Sequence, residues 1–103
     1  MDIVKNELMT DLMGIYGSLL TEYQLEIMEL YYFEDLSLKE IADNQNVSRN
    51  AIFTLIKRVE KILLEYEEKL QLNAKLKKVE NRLINEDEKI REDIINILLG
   101  EGE

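Results

Sequence analysis

The sequence predicts an all-helical protein: a helix-turn-helix bundle with long carboxy-terminal helices. Three observations predict it. The 103 residues contain no proline, and no glycine lies between Gly17 and Gly100. Apolar residues recur at three- and four-residue spacing through most of the chain, the period that lines one helix face. Alternations of the kind that mark strands are few. Hydrophobic residues make up 46% of the chain, which supplies a core and excludes wholesale disorder. The length fits one domain, read here as a helix-turn-helix core over residues 1–72 and a carboxy-terminal helical extension over 73–103. The extension serves packing or dimerisation and is not an independent domain. A domain this small buries a limited share of its surface, so a homodimer that shares apolar area is expected.

The first helix is expected from Ile3 to Leu20, with Val4, Leu8, Leu12, Ile15, Tyr16 and Leu19 as its apolar stripe. Gly14 and Gly17 fall inside it and mark either close helix approach or fraying. Thr21-Glu22-Tyr23-Gln24 is a capping box that starts a second helix, whose buried side is expected at Leu25, Met28, Leu30 and Tyr32. Phe33 to Leu36 is a short connection. Ser37 and Glu40 form another capping box, and Leu38 to Asn44 reads as a third helix with Ile41 and Ala42 on its inner face. Asn44-Gln45-Asn46 supplies turn chemistry, Val47 is expected as an apolar plug, and Ser48 is the N-cap of a fourth helix. Ile52, Ile56, Val59, Leu63, Tyr66 and Leu70 form its seam, and Leu72, Leu76, Val79 and Leu83 continue on a shifted phase. Whether this is one rod or bends near Asn73 is left open by the pattern; a rod from Ser48 to Asn85 would run about 55 Å, so folding back or pairing is expected. Glu86-Asp87-Glu88 suits the first turn of a last helix with Ile90, Ile94, Ile97 and Leu98 as its stripe, stopped by Gly100.

Helix, tight turn and second helix from Leu36 to Ile52 make a helix-turn-helix, whose second helix can enter a DNA major groove. Arg49, Asn50, Phe53, Thr54 and Lys57 are expected on the face opposite Ile52, Ile56 and Val59. The candidate nucleic-acid-binding residues are therefore Ser48, Arg49, Asn50, Phe53, Thr54, Lys57 and Arg58. Arg49 can pair with guanine or a phosphate, Asn50 bidentately with adenine, and Thr54 can meet a thymine methyl or a phosphate. Lys57 and Arg58 lie one turn deeper and suit phosphate contacts that set register. Phe53 has three readings: a thymine methyl contact, an anchor for a protein partner, or packing within its own chain. Tyr31-Tyr32-Phe33 fits core better than base stacking. The Lys75, Lys77, Lys78 and Arg82 cluster, and the acidic pairs at Glu67-Glu68 and Glu86 to Glu88, read as solvated helix faces.

The chain has neither cysteine nor histidine. That removes disulfides, thiolate metal sites, the commonest general base and the usual nucleophile–base pairs. No glycine-rich phosphate loop is present. No catalytic, cofactor-binding or metal-binding residues are assigned, and the protein is not expected to be an enzyme. No apolar run is long enough to span a bilayer and no secretory signal opens the chain, so membrane insertion is not expected and the cytoplasm is the expected location. Net charge is −9, which repels a phosphate backbone at long range. Locally the sign changes: from Asn44 to Val59 there is no acidic residue, while Arg49, Lys57 and Arg58 fall inside that window.

Leu36-Ser37-Leu38-Lys39-Glu40-Ile41-Ala42 and Val47-Ser48-Arg49 resemble region four of sigma factors, where such an entry precedes the recognition helix. Leu20-Thr21, Met28-Glu29-Leu30-Tyr31-Tyr32, Asp35-Leu36-Ser37-Leu38, Ile56-Lys57-Arg58, Glu60-Lys61-Ile62-Leu63 and Glu65-Tyr66-Glu67-Glu68-Lys69-Leu70 resemble the YlxM family of small bacterial proteins. The likeness is dense from about Leu19 to Leu72 and thin afterwards. It implies a sigma-like helix-turn-helix protein encoded beside signal recognition particle genes, acting as a DNA-binding regulator or as an accessory of that pathway that binds its GTPase or its RNA. It attributes no catalytic residues. The chain departs from the family where Asn50-Ala51-Ile52-Phe53-Thr54-Leu55 replaces a more polar stretch, which favours a protein contact over base readout.

Overall fold

A computed structural model describes residues 7–84 and 86–100. Among these are six α-helices, a single 3₁₀ turn and no strand: α1 Glu7–Tyr16, the 3₁₀ turn Gly17–Leu19, α2 Glu22–Tyr32, α3 Leu38–Gln45, α4 Arg49–Leu70, α5 Leu72–Leu83 and α6 Glu88–Leu99. The fold is all-α, as the periodicity predicts. α4 is the axis of the molecule, and α1, α2 and α3 all pack on it.

The expected first helix is shorter than its apolar pattern. Residues 3–6 lie outside the described residues, and the α-helix gives way to the 3₁₀ turn at Gly17. A Cβ at Gly17 would stand 3.3 Å from a Leu25 methyl. Gly17 is thus a close-approach glycine, whereas a Cβ at Gly14 would meet open space. The buried stripe of α1 is Met9, Leu12, Met13 and Tyr16; Leu12 and Tyr16 of the expected line are buried, Ile15 is half-buried, and Leu8 and Leu19 are exposed. On α2 the buried residues are Ile27, Met28 and Tyr31; Met28 is as expected, while the expected Leu25, Leu30 and Tyr32 are half-buried. Both shifts have one cause. Each helix meets α4 along a line fixed by its crossing, and several apolar lines on a short helix satisfy the same period.

Both capping boxes form. Thr21 Oγ1 accepts from the Gln24 N–H and the Gln24 side chain accepts from the Thr21 N–H. Ser37 and Glu40 do the same at 3.0 and 2.9 Å. Buried Leu38, Ile41 and Ala42 of α3 face buried Ile52, Ile56, Val59 and Leu63 of α4 within one core.

The chain breaks at Gln71, two residues before Asn73, in the left-handed region at φ 53°. Beyond it α5 packs on α1, and α6 packs on α5. Leu98 and Leu99 share a groove with Leu72 and Leu76, while Arg91 shares another with Ile84. α6 therefore returns antiparallel along α5. Asp87 caps α6 and Gly100 ends it at φ 76°. The expected α6 stripe is not a core stripe: no residue of α6 is buried, and Ile90, Ile97 and Leu98 are exposed. No helix among the described residues is long and apolar enough to cross a membrane.

Candidate nucleic-acid interface

Asn46, in the left-handed region at φ 60°, closes α3. The Val47 N–H donates to the Ala42 carbonyl at 3.0 Å and the Asn46 N–H to the Asp43 carbonyl at 3.3 Å, the paired bonds of a Schellman ending. Asn suits that position because its short polar side chain tolerates positive φ. Val47 is 41% exposed, so it is not the expected plug. Its backbone closes the turn instead. Ser48 then caps α4, its Oγ accepting from the Ala51 N–H at 3.0 Å. Two capped helices joined by a tight left-handed corner present the first turns of α4 at the surface.

Ser48, Arg49, Asn50, Thr54, Lys57 and Arg58 are all exposed. Phe53 is not on the outer face as expected; it is half-buried and packs against the core cluster, because it lies closer to the core line of Ile52 and Ile56 than Asn50 does. Leu55 packs partly on the core as well. Asn50, Thr54 and Lys57 follow one another at four and three residues and form one outward line. Lys61 is the next position on that line and is exposed. Lys61 was missed among the candidates, although the spacing in the sequence is enough to find it.

The acid that closes the neutral window is turned inward. Glu60 is 8% exposed; its carboxylate accepts the Tyr32 hydroxyl at 2.5 Å and pairs with Lys57 at 3.3 Å. Burial first, then this carboxylate, push the Tyr32 hydroxyl above the usual phenol range. From Arg49 to Lys61 the outer face of α4 thus presents bases and amides without an outward carboxylate. Lys57 meets any ligand already partly neutralised.

Two surface grooves flank the start of α4. One, of about 540 Å³, lies between Thr21, Tyr23 and Gln24 at the start of α2 and Ala51, Thr54 and Arg58. The other, of about 370 Å³, sets Arg49 among Asp35, Ser37, Lys39 and Glu40. Hydrogen bonds within the Ser37 cap hold the Glu40 carboxyl below the ordinary glutamate range. Arg49 therefore works in a field of carboxylates, and the Arg58 side is the less acidic flank. Among the described residues no acidic cluster is arranged to hold a metal ion.

A family model described as "Putative helix-turn-helix protein, YlxM / p13 like" matches residues 3–98. The chain is 54% identical over 70 residues to a UPF0122 protein of Clostridium acetobutylicum, covering 68% of this chain and 60% of that one. Against the UPF0122 protein YofM of Lactococcus lactis subsp. lactis it is 46% identical over 86 residues, covering 84% and 77%. Against a UPF0122 protein of Clostridium botulinum it is 51% identical over 81 residues, covering 79% and 74%.

Proposed function

From the premise that the chain belongs to the YlxM/p13-like family of helix-turn-helix proteins, we propose that it is a non-enzymatic regulator that binds DNA through the first three turns of α4. The single observation that supports this reading most is the outward line of Asn50, Thr54, Lys57 and Lys61 on a helix whose one carboxylate in that stretch is buried. Arg49 and Asn50 read bases, with Thr54 and the exposed part of Phe53 against a thymine methyl or sugar. Ser48, Lys57, Arg58 and Lys61 hold phosphates. Two copies paired through their carboxy-terminal helices would present two recognition helices to a two-fold site.

Four cationic side chains per subunit are few, and counterion release sets what they can do. With Arg49 on a base and Lys57, Arg58 and Lys61 each neutralising one phosphate, the slope of log affinity against log salt is about −2.7, and about twice that for a pair. The test is an anisotropy titration of selected DNA fragments across salt. Arg49→Ala is expected to relax sequence preference, at about 1–3 kcal/mol for the preferred base. Lys57→Ala and Lys61→Ala are expected to weaken all sites alike and to flatten the slope by about one each. Absence of binding to any fragment at low salt would sink the proposal.

The net charge of −9 favours a second reading: an accessory that binds a basic protein surface, which the YlxM resemblance would make that of the signal recognition particle GTPase, alone or in its RNA complex. In that case Phe53→Ala, compared at matched folded fraction, reduces capture of the purified GTPase more than Arg49→Ala does. Equal indifference to both changes would leave it without support.

A further inference from the structure

We infer that the α5–α6 hairpin is the surface on which a second copy of this chain docks, α6 of each copy lying across α5 of the other. This deepens the pairing invoked above and names its surface.

The hairpin is the least buried part of the molecule and the most apolar part of its exterior. Ile84 is exposed between the two helices, Ile90 and Ile97 stand on one line of α6, and Ile97 is 75% exposed. Beside these protrusions lies a depression of about 230 Å³ lined by Ile15, Leu72, Leu76, Val79, Leu98 and Leu99. A two-fold interface uses the same patch on both copies, so the patch must complement itself. A protruding isoleucine line next to an apolar groove meets that condition: each copy offers the line to the other's groove.

Charge selects the same partner. Although the chain carries −9 overall, bases and acids are equal in number between Leu72 and Leu99. They are also segregated. α5 carries Lys75, Lys77, Lys78 and Arg82 against Glu80, while the segment from Glu86 to Asp93 is predominantly acidic. Lys77 is paired with Asp11 of α1 at 3.5 Å, and Arg91 donates to the Ile84 carbonyl at 3.2 Å. Lys75 and Lys78 are exposed and make no ion pair with another described residue. An acidic or a basic partner would match only one of the two helices. A second copy, with the acidic stretch 86–93 that leads into its α6 laid against basic α5, matches both, and the neutral total leaves the approach unopposed.

The area sets the strength. α6 is about 18 Å long, so one helix-on-helix strip falls well short of the roughly 800 Å² per partner of a standard interface. Both helices of each hairpin must take part to approach that size.

The experiment is light scattering on the full chain without nucleic acid, from about 1 to 200 µM, a span that reads dissociation constants in the micromolar range and below. The wild-type mass is expected to rise from the 12.2 kDa of one chain to twice that. Ile97→Asp and Ile90→Asp, both at exposed positions, are expected to keep helical circular dichroism and to weaken association by at least about tenfold. Lys75→Glu weakens it several-fold, and adding Asp93→Lys in the same chain restores it. A chain that stays monomeric throughout overturns the inference, and DNA binding by such a monomer would leave the regulator reading standing. A dimer that Ile97→Asp and Ile90→Asp leave intact overturns the choice of surface alone.

Discussion

Tyr16 and Glu67 show how much can rest on two side chains. Gln71 leaves the α-helical region and offers α5 no side-chain cap. The Glu67 carboxylate accepts instead from the N–H groups of Asn73 at 3.0 Å and Ala74 at 3.2 Å. The Tyr16 hydroxyl donates to Glu67 at 2.7 Å and accepts from the Leu72 N–H at 3.2 Å. Three leading amides of α5, which have no partner inside the helix, are thus satisfied by residues of α1 and α4. Glu67 is therefore a cap and not the solvated acid that its neighbourhood suggests. Burial, then Glu67, raise the Tyr16 hydroxyl above its usual range. Tyr16→Phe is expected to cost about 1–2 kcal/mol in denaturant unfolding. Glu67→Ala is expected to cost more, since it leaves two amides without their acceptor, and hydrogen exchange at Asn73 and Ala74 should rise in both variants. Neither partnership was legible in the sequence, because the tyrosine and the glutamate are 51 residues apart.

At the scale of elements, caps decide where helices begin. Ser37, Ser48 and Thr21 each accept a backbone N–H three residues on, and their spacing was readable directly because every partner is local. Ser48→Ala is expected to cost about 1 kcal/mol by thermal or chemical melting. The same change loosens the first turn of α4, so DNA affinity should fall with it. The Ser37 box adds a pH dependence whose sign follows from the lowered carboxyl of Glu40. A group held below its ordinary value of 4.5 adds stability that is present above that value and lost as pH falls through the folded one. Acid unfolding curves of Glu40→Gln are therefore expected to be flatter below pH 4.5 than those of the wild type. Curves that superimpose would show that the box forms without stabilising α3. Boundaries were harder to read than starts. α1 gives way at Gly17, a weak helix former that the pattern flags without deciding its role, and α4 ends at Gln71, where no residue breaks a helix by its own chemistry.

The whole molecule is elongated, 49 × 25 × 22 Å, and its two ends differ in kind. Among the described residues every buried hydrophobic one lies between Met9 and Leu63, in the four helices that position the recognition surface. The α5–α6 hairpin contributes half-buried and exposed apolar residues only. We expect a chain ending at Gln71 to fold, and to unfold in one transition lowered by about 1–3 kcal/mol, the cost of removing the partners of Tyr16 and Glu67. Circular dichroism melts of the truncated and full chains check this; loss of all cooperative unfolding would show that the hairpin belongs to the core.

The sequence by itself determined the all-helical class, the caps of α2, α3 and α4, the helix-turn-helix and the acid-free window, because each is written in residues close together in the chain. Only the tertiary structure decided which apolar line of α1 and α2 is buried, that Phe53 leans on the core, that Val47 closes a turn with its backbone, and that Glu60 and Glu67 face inward. Those outcomes depend on where one helix crosses another, and helical periodicity admits several crossings that bury equal apolar area.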